Sequence, residues 1–239
     1  MAISFRSSST ANTGNTTASS ITINKPTGVA AGDLLLAFLT VAAGSNAVIA
    51  PPSGWTLVLR TNDGTATAGA SYYKVAGASE PTSYQWGFSG TGSPYGAAGG
   101  ISAYTGVANA TPLDASVGQA FSTASTSLTS PAVLTSVADT LVIRVYGTRI
   151  ISDTPTAITP PSGTAERYEV DNSVPGGATR TAETADAAQA AAGDTGTATA
   201  ASSLSVTYVS QTIVLRPADV TPPGAPTGLG ATPGFSEIS

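Results

Sequence analysis

The sequence predicts an all-β protein: a two-sheet β-sandwich of jelly-roll type built from an internal duplication, with an extended Pro-rich C-terminal tail. Three observations predict it. Short strand-like segments, bounded by Gly, Pro, Asn and Asp, recur at intervals of roughly 8–12 residues. Helical periodicity is nearly absent, and the 239 residues include 26 Gly and 16 Pro. Two long stretches also repeat one another in the same order.

The repeat is read from matched segments. Gly32-Asp33-Leu34-Leu35-Leu36-Ala37-Phe38 resembles Ala138-Asp139-Thr140-Leu141-Val142-Ile143-Arg144. Pro51-Pro52-Ser53-Gly54 recurs as Pro160-Pro161-Ser162-Gly163, followed in each case by a strand-like segment, 55–60 and 164–170. Each half then ends on a longer one, 99–107 and 204–215. The halves therefore run over 2–107 and 115–216 within a domain of 1–217. Either half alone has few aromatics and would bury little apolar surface. One sandwich made from both halves is expected.

In chain order, strands are expected at 2–6, 19–24, 33–42, 55–60, 69–75, 83–89, 98–105, 117–122, 140–147, 165–170, 178–183, 195–199 and 203–215. Leu34 to Val41 is apolar on both faces, as in a central strand covered on both sides. Leu141, Ile143 and Val145 alternate with Arg144 and Tyr146, which implies one wetter face. Leu204, Val206 and Tyr208 share one parity and Ile213 and Leu215 the other, so a bulge or bend is expected near Val209 to Gln211. The alanine-rich run from Thr184 to Ala192 has the composition of two helical turns stopped by Gly193. Gly99-Gly100 and Gly176-Gly177 read as bulges or turns. Residues 218–239 read as a stiff Pro/Gly-rich tail.

The residue inventory excludes much chemistry. There is no Cys and no His, so disulfides, thiolate zinc sites, Ser-His-Asp and Cys-His catalysis and histidine switching are absent. Charged residues make up 10% and the net charge is −5, against the clustered Lys and Arg that nucleic acid requires. No catalytic residue, cofactor or metal ligand is expected. Asn62-Asp63-Gly64 is a hairpin signal, and Asp33 and Asp139 occupy turn-capping positions. Glu166 or Glu169 with Asp171 are carboxylates that a sandwich could bring together, but nothing in the sequence selects such a pair for glycoside hydrolysis. Tyr84, Trp86 and Phe88 share one strand face and read as core, with Trp55 after the first Pro-Pro-Ser-Gly turn. Tyr95, in the glycine-rich stretch 90–96, and the adjacent Tyr72 and Tyr73, one inward and one outward, are the candidates for contact with a partner or a glycan.

Ala31-Gly32-Asp33-Leu34-Leu35, Pro51-Pro52-Ser53-Gly54-Trp55, Tyr72-Tyr73-Lys74-Val75 and Gly99-Gly100-Ile101-Ser102-Ala103-Tyr104 together resemble a β-rich module of bacterial surface proteins and tailed-phage structural proteins. Glu166-Arg167-Tyr168 and Gln211-Thr212-Ile213-Val214-Leu215 extend the resemblance through the second half. At Thr164 the chain departs from the pattern, which has an apolar residue there, so packing around that turn is expected to differ. The run from Asp219 to Gly234 resembles the linker and first strand of a fibronectin type III module. The resemblance implies no catalytic residues. It implies display or adhesion on a particle or cell exterior.

The expected function is a virion structural protein of a phage, as capsid decoration, head fibre or tail-associated protein. Its partners would be other virion proteins, including further copies of itself. The alternative is a carbohydrate-binding or adhesive module of a secreted bacterial protein, acting on host-surface glycans. The start at Met1 lacks a basic-then-apolar leader, which favours the first. The longest apolar run, 34–43, is too short to span a bilayer as a helix, so neither membrane insertion nor nucleic acid is expected.

Overall fold

The computed structural model describes residues 2–14, 18–91, 96–152, 154–172 and 178–218. Eight strands lie in the first half: β1 (Ser4–Asn12), β2 (Ser20–Asn24), β3 (Leu34–Ala42), β4 (Ala47–Ala50), β5 (Thr56–Asp63), β6 (Thr67–Val75), β7 (Ser83–Gly90) and β8 (Ala97–Thr105). Eight follow in the second: β9 (Leu113–Ser130), β10 (Leu134–Thr135), β11 (Thr140–Arg149), β12 (Ile158–Thr159), β13 (Ala165–Asp171), β14 (Thr181–Gln189), β15 (Gly193–Asp194) and β16 (Ala198–Leu215). The fold is all-β and the named strand pairs are antiparallel. Among the described residues the only helical element is a 3₁₀ turn at Gly44–Asn46.

The first half forms a five-stranded sheet in the order β1-β8-β3-β6-β5 and a small sheet in the order β2-β7-β4. The second half has the order β12-β16-β11-β14-β13, with β9 also on β16, and a short β10-β15 pair. The run β9-β16-β11-β14-β13 therefore carries the same order of succession as β1-β8-β3-β6-β5. The registers correspond too. Leu34 lies between Val75 and Tyr104, as Leu141 lies between Ala188 and Leu215.

Both sheets skip a residue at the same two places. Arg6 is left out between β1 and β8, and Asp114 between β9 and β16. Val58 is left out between β5 and β6, and Arg167 between β13 and β14. A bulge re-aims the extra side chain. Here Arg6 reaches Asp33 at 2.7 Å and Asp114 holds Arg216 at 2.6 Å.

The two large sheets face each other. One core joins Leu34, Leu36, Phe38 and Tyr104 of the first half to Leu141, Ile143, Val145 and Ile213 of the second. The sheet edges meet crosswise, β1 beside β13 and β5 beside β9. A second core, with Leu35, Leu39, Trp55 and Trp86, lies between the first large sheet and β2-β7-β4. A third, with Leu128, Tyr146, Ile158, Ala200 and Tyr208, lies on the outer side of β11. All nine residues of β3 are buried, as its two apolar faces require, because it is covered from both sides. The arrangement thus has more layers than the two sheets expected from sequence: a small outer layer covers the back of each large sheet.

Several expectations are corrected. The supposedly wetter face of 141–147 is buried, with Arg144 at 4% exposure and Tyr146 at 0%. Arg144 is accommodated because its two Nη atoms donate to Ser130 Oγ, Pro131 O, Thr212 Oγ1, Thr195 O and Gly196 O. The alanine-rich run is strand, not helix. Thr184 to Gln189 belong to β14, between β11 and β13, and tertiary pairing overrides alanine's helix preference. The bend in β16 falls earlier than expected, with register shifts between Ala201 and Val206 and between Val206 and Tyr208. Beyond it, Tyr208 to Leu215 are all buried, so both parities lie inside because both faces are covered, polar Ser210, Gln211 and Thr212 included.

The segments expected at 195–199 and 203–215 join into one strand that begins at Ala198, bent so that Ala198–Ser202 pairs with the end of β9 and with β12. Gly99 and Gly100 sit in regular β8 rather than in a turn. A Cβ on Gly100 would lie 2.7 Å from Tyr168 Cζ, and one on Gly99 2.5 Å from Phe38 O. Their role is close approach of backbones. Asp33 caps its turn, accepting from Ala30 N–H at 2.8 Å. Asp139 is displaced by one position in the register and takes a left-handed φ of 56°. Gly176-Gly177 and the tail from Asp219 onward lie outside the described residues. The root of the tail is fixed: Ala218 N–H donates to Gly106 O at 2.8 Å, and Pro217 bridges Val107.

Candidate functional site

Tyr72 and Tyr73 follow one another on β6, so the pleat sends them to opposite faces. Tyr72 is 3% exposed. It belongs to the core beneath β2-β7-β4, with its ring 6.3 Å from that of Trp86. Burial raises its phenol pKa above the ordinary value. Tyr73 is half-buried and packs at the margin of the core between the large sheets. Tyr95 lies outside the described residues. Trp55, Tyr84, Trp86 and Phe88 are all buried. Trp55 stands edge-on to both Tyr84 and Trp86 at 5.0 Å. These rings make a packed aromatic cluster beneath the first outer layer, not an exposed platform. Asn62 and Asp63 are the last paired residues of β5 and Gly64 opens the turn 64–66 to β6, with Asp63 accepting from Ser122 Oγ of β9.

The polar groups of most chemical interest are buried. Asp186 on β14 accepts two hydrogen bonds from Arg167, each 2.6 Å, and a third from Tyr104 OH at 3.0 Å. Arg167 also lies 4.3 Å over the Phe5 ring. This group joins the halves: Tyr104 and Phe5 come from one, Arg167 and Asp186 from the other. Burial, and then the Asp186 charge, raises the Tyr104 pKa. The Asp186 hydrogen bonds raise that of Arg167. A second joint is Gln211, which accepts from Ser71 Oγ at 2.5 Å and donates to Gly69 O at 3.0 Å. A third is Tyr168 OH, which donates to Gly100 O at 3.1 Å.

Sequence reasoning singled out Glu166, Glu169 and Asp171 but missed Glu183. Glu183 on β14 lies in register with Glu169 of β13 and Tyr146 of β11. It is 0% exposed, and neither carboxylate oxygen has a hydrogen-bond partner. Burial raises its pKa well above the ordinary value, and the charges of Glu166 and Glu169 add to this. Glu169 is raised by burial too, against the N–H of Ile158, which donates to it at 2.5 Å. No signal could have found Glu183, because a carboxylate in a Thr- and Ala-rich strand reads by default as solvated. Elsewhere, burial and the neighbouring Arg149 lower the Arg180 pKa to about 10.

Among the described residues no group of three or more acidic side chains could hold a metal ion. No described helix is long and apolar enough to cross a membrane. Asp186, Gln211 and Tyr168 each hydrogen-bond from one half to the other, whereas Glu183 is buried without a partner. Comparisons with protein-family models, with curated proteins and with solved structures find no match to this chain.

Proposed function

We propose that the chain is a structural protein of a phage virion, exposed on the particle exterior and acting by assembly and display rather than by catalysis. The observation that carries this reading is the matched succession of β1-β8-β3-β6-β5 and β9-β16-β11-β14-β13, with bulges at corresponding places. It supports an internal duplication of one sandwich unit, the feature through which the sequence resembles modules of phage and bacterial surface proteins. Each unit covers one face of its large sheet with a small outer layer and the other face with its twin.

The role follows from where the polar chemistry lies. Arg144, Asp186, Gln211 and Glu183 are all buried between layers. With charged residues at 10% of the sequence, solvation falls mostly to uncharged polar groups. Such a body presents rigid sheet edges and loops and has little long-range electrostatic pull on a partner.

Antibodies against residues 2–218 test the reading on intact particles from cells that make the chain. Labelling of the particle exterior, with the chain in stoichiometric copies, is expected. A chain found only free or on the cell wall, and retained specifically on a glycan array, overturns the virion role in favour of an adhesive module.

A further inference from the structure

The two outer layers differ where their backbones correspond, and the difference leaves a pocket. In the first half, Trp55, Tyr84, Trp86 and Tyr72 form the aromatic cluster under β2-β7-β4. The pairing Ala50↔Gly87 corresponds to Thr159↔Ala201, which places Ala198 at the position of Tyr84 and Ala200 at that of Trp86. The register of β6 and β14 places Ala185 at the position of Tyr72. The two Pro-Pro-Ser-Gly turns place Thr164 at that of Trp55. Four rings are replaced by four small side chains.

Part of the vacated space is filled from below. Arg144 stands at the register position of Ala37, and Tyr146 at that of Leu39. At the Thr164 and Ala198 positions a cavity of about 260 Å³ remains, its lining mixing apolar Val142, Ala187 and Ala198 with polar Thr164, Gln189 and Arg144. Arg144 is held in a fixed orientation by its five acceptors. A guanidinium so fixed favours the electron-rich face of an aromatic ring. Val142, Ala187, Ala188 and Ala198 supply the apolar part of the lining.

We infer that the second half carries a binding pocket for one planar aromatic ring of the indole class, in the space where the first half keeps Trp55. This rests on the correspondence of the halves argued under Proposed function. The pocket has the position of a site that the corresponding backbone fills with an indole, part of its lining is apolar, and its one charged group is a cation whose two Nη atoms are already engaged.

The test uses the full chain, with indole, the peptide Gly-Trp-Gly and glucose as probes, followed by amide chemical shifts. Saturable shifts with indole, centred on residues 142–144, 187–189 and 195–198, are expected. Accompanying binding of Gly-Trp-Gly assigns the ring to a peptide side chain, and binding of indole alone assigns it to a free heterocycle. Thr164→Trp should fill the cavity, raise the melting temperature and abolish the indole shifts. Thr164→Leu provides the same block by a smaller step if the tryptophan variant does not fold. No saturable indole binding, or saturable glucose binding in its place, overturns the proposal. If the wild type fails to bind while Thr164→Trp is stabilised, the pocket assignment falls and the correspondence of the halves stands. If Thr164→Trp and Thr164→Leu are both destabilised and still bind indole, the correspondence itself falls.

Discussion

Replacing Glu183 by methionine should stabilise the protein, and by more in alkali than in acid. The carboxyl is 0% exposed with both oxygens unpartnered. Leaving a buried polar group unsatisfied costs about 1–3 kcal/mol, a cost methionine removes while filling similar space. Burial raises the folded-state pKa above its unfolded value, so the fold favours the protonated acid. The stability linked to this group is therefore fully present below the unfolded carboxylate pKa of about 4.3, and is lost as pH rises through the raised folded value.

The groups facing Glu183 across the sheet are Glu169 and Tyr146, with Glu166 nearby, and neither Glu169 nor Tyr146 supplies a cation. In a domain of this size 1 kcal/mol moves Tm by roughly 2–4 °C. Thermal unfolding of Glu183→Met and wild type at pH 4 and pH 8 should show a gain of at least that size at pH 4 and a larger one at pH 8. A gain equal at both pH values, or a loss at pH 8, would refute the reasoning, because either result means the carboxylate has a partner in the fold.

Other substitutions probe the joints between layers. Asp186→Asn leaves Arg167 without its bidentate acceptor and weakens the Tyr104 contact; a loss of about 2–3 kcal/mol is expected in urea unfolding. Gly100→Ala forces a Cβ to 2.7 Å from the Tyr168 ring and should cost about 1–3 kcal/mol by overpacking. Trp86→Ala empties the centre of the aromatic cluster and should cost about 3–5 kcal/mol. Its fluorescence consequence, loss of the more buried of the two indole emissions, checks that Trp86 is the core ring.

The sequence made some of this legible because its signals are local. The apolar run Leu34 to Val41 has no polar face, so a strand covered on both sides was readable from parity alone. The two Pro-Pro-Ser-Gly turns were expected to precede strands, and they precede β5 and β13. Tyr84, Trp86 and Phe88 alternate, and their common burial followed. Other features depend on partners far along the chain. Arg144 looked like a surface residue because its five acceptors come from three other segments. Ala185, Ala187 and Ala188 looked helical because nothing local says that β11 and β13 will flank them. Tyr72 was a candidate contact residue from sequence, and the small outer layer that buries it could not be read from its neighbours. The layers beyond two were missed because β9 and β16 each serve both an inner and an outer layer through bends with no glycine or proline at the turning point.

The central claim is that the halves correspond and complete each other through their large sheets. Splitting the chain in the short link between β8 and β9, and producing residues 1–109 and 110–218 separately, tests it most directly. Size-exclusion chromatography with light scattering on the mixture should show a 1:1 complex with the thermal transition of the intact chain, each piece alone being self-associated or poorly folded. Two pieces that are each stable, monomeric and indifferent to one another would contradict the account.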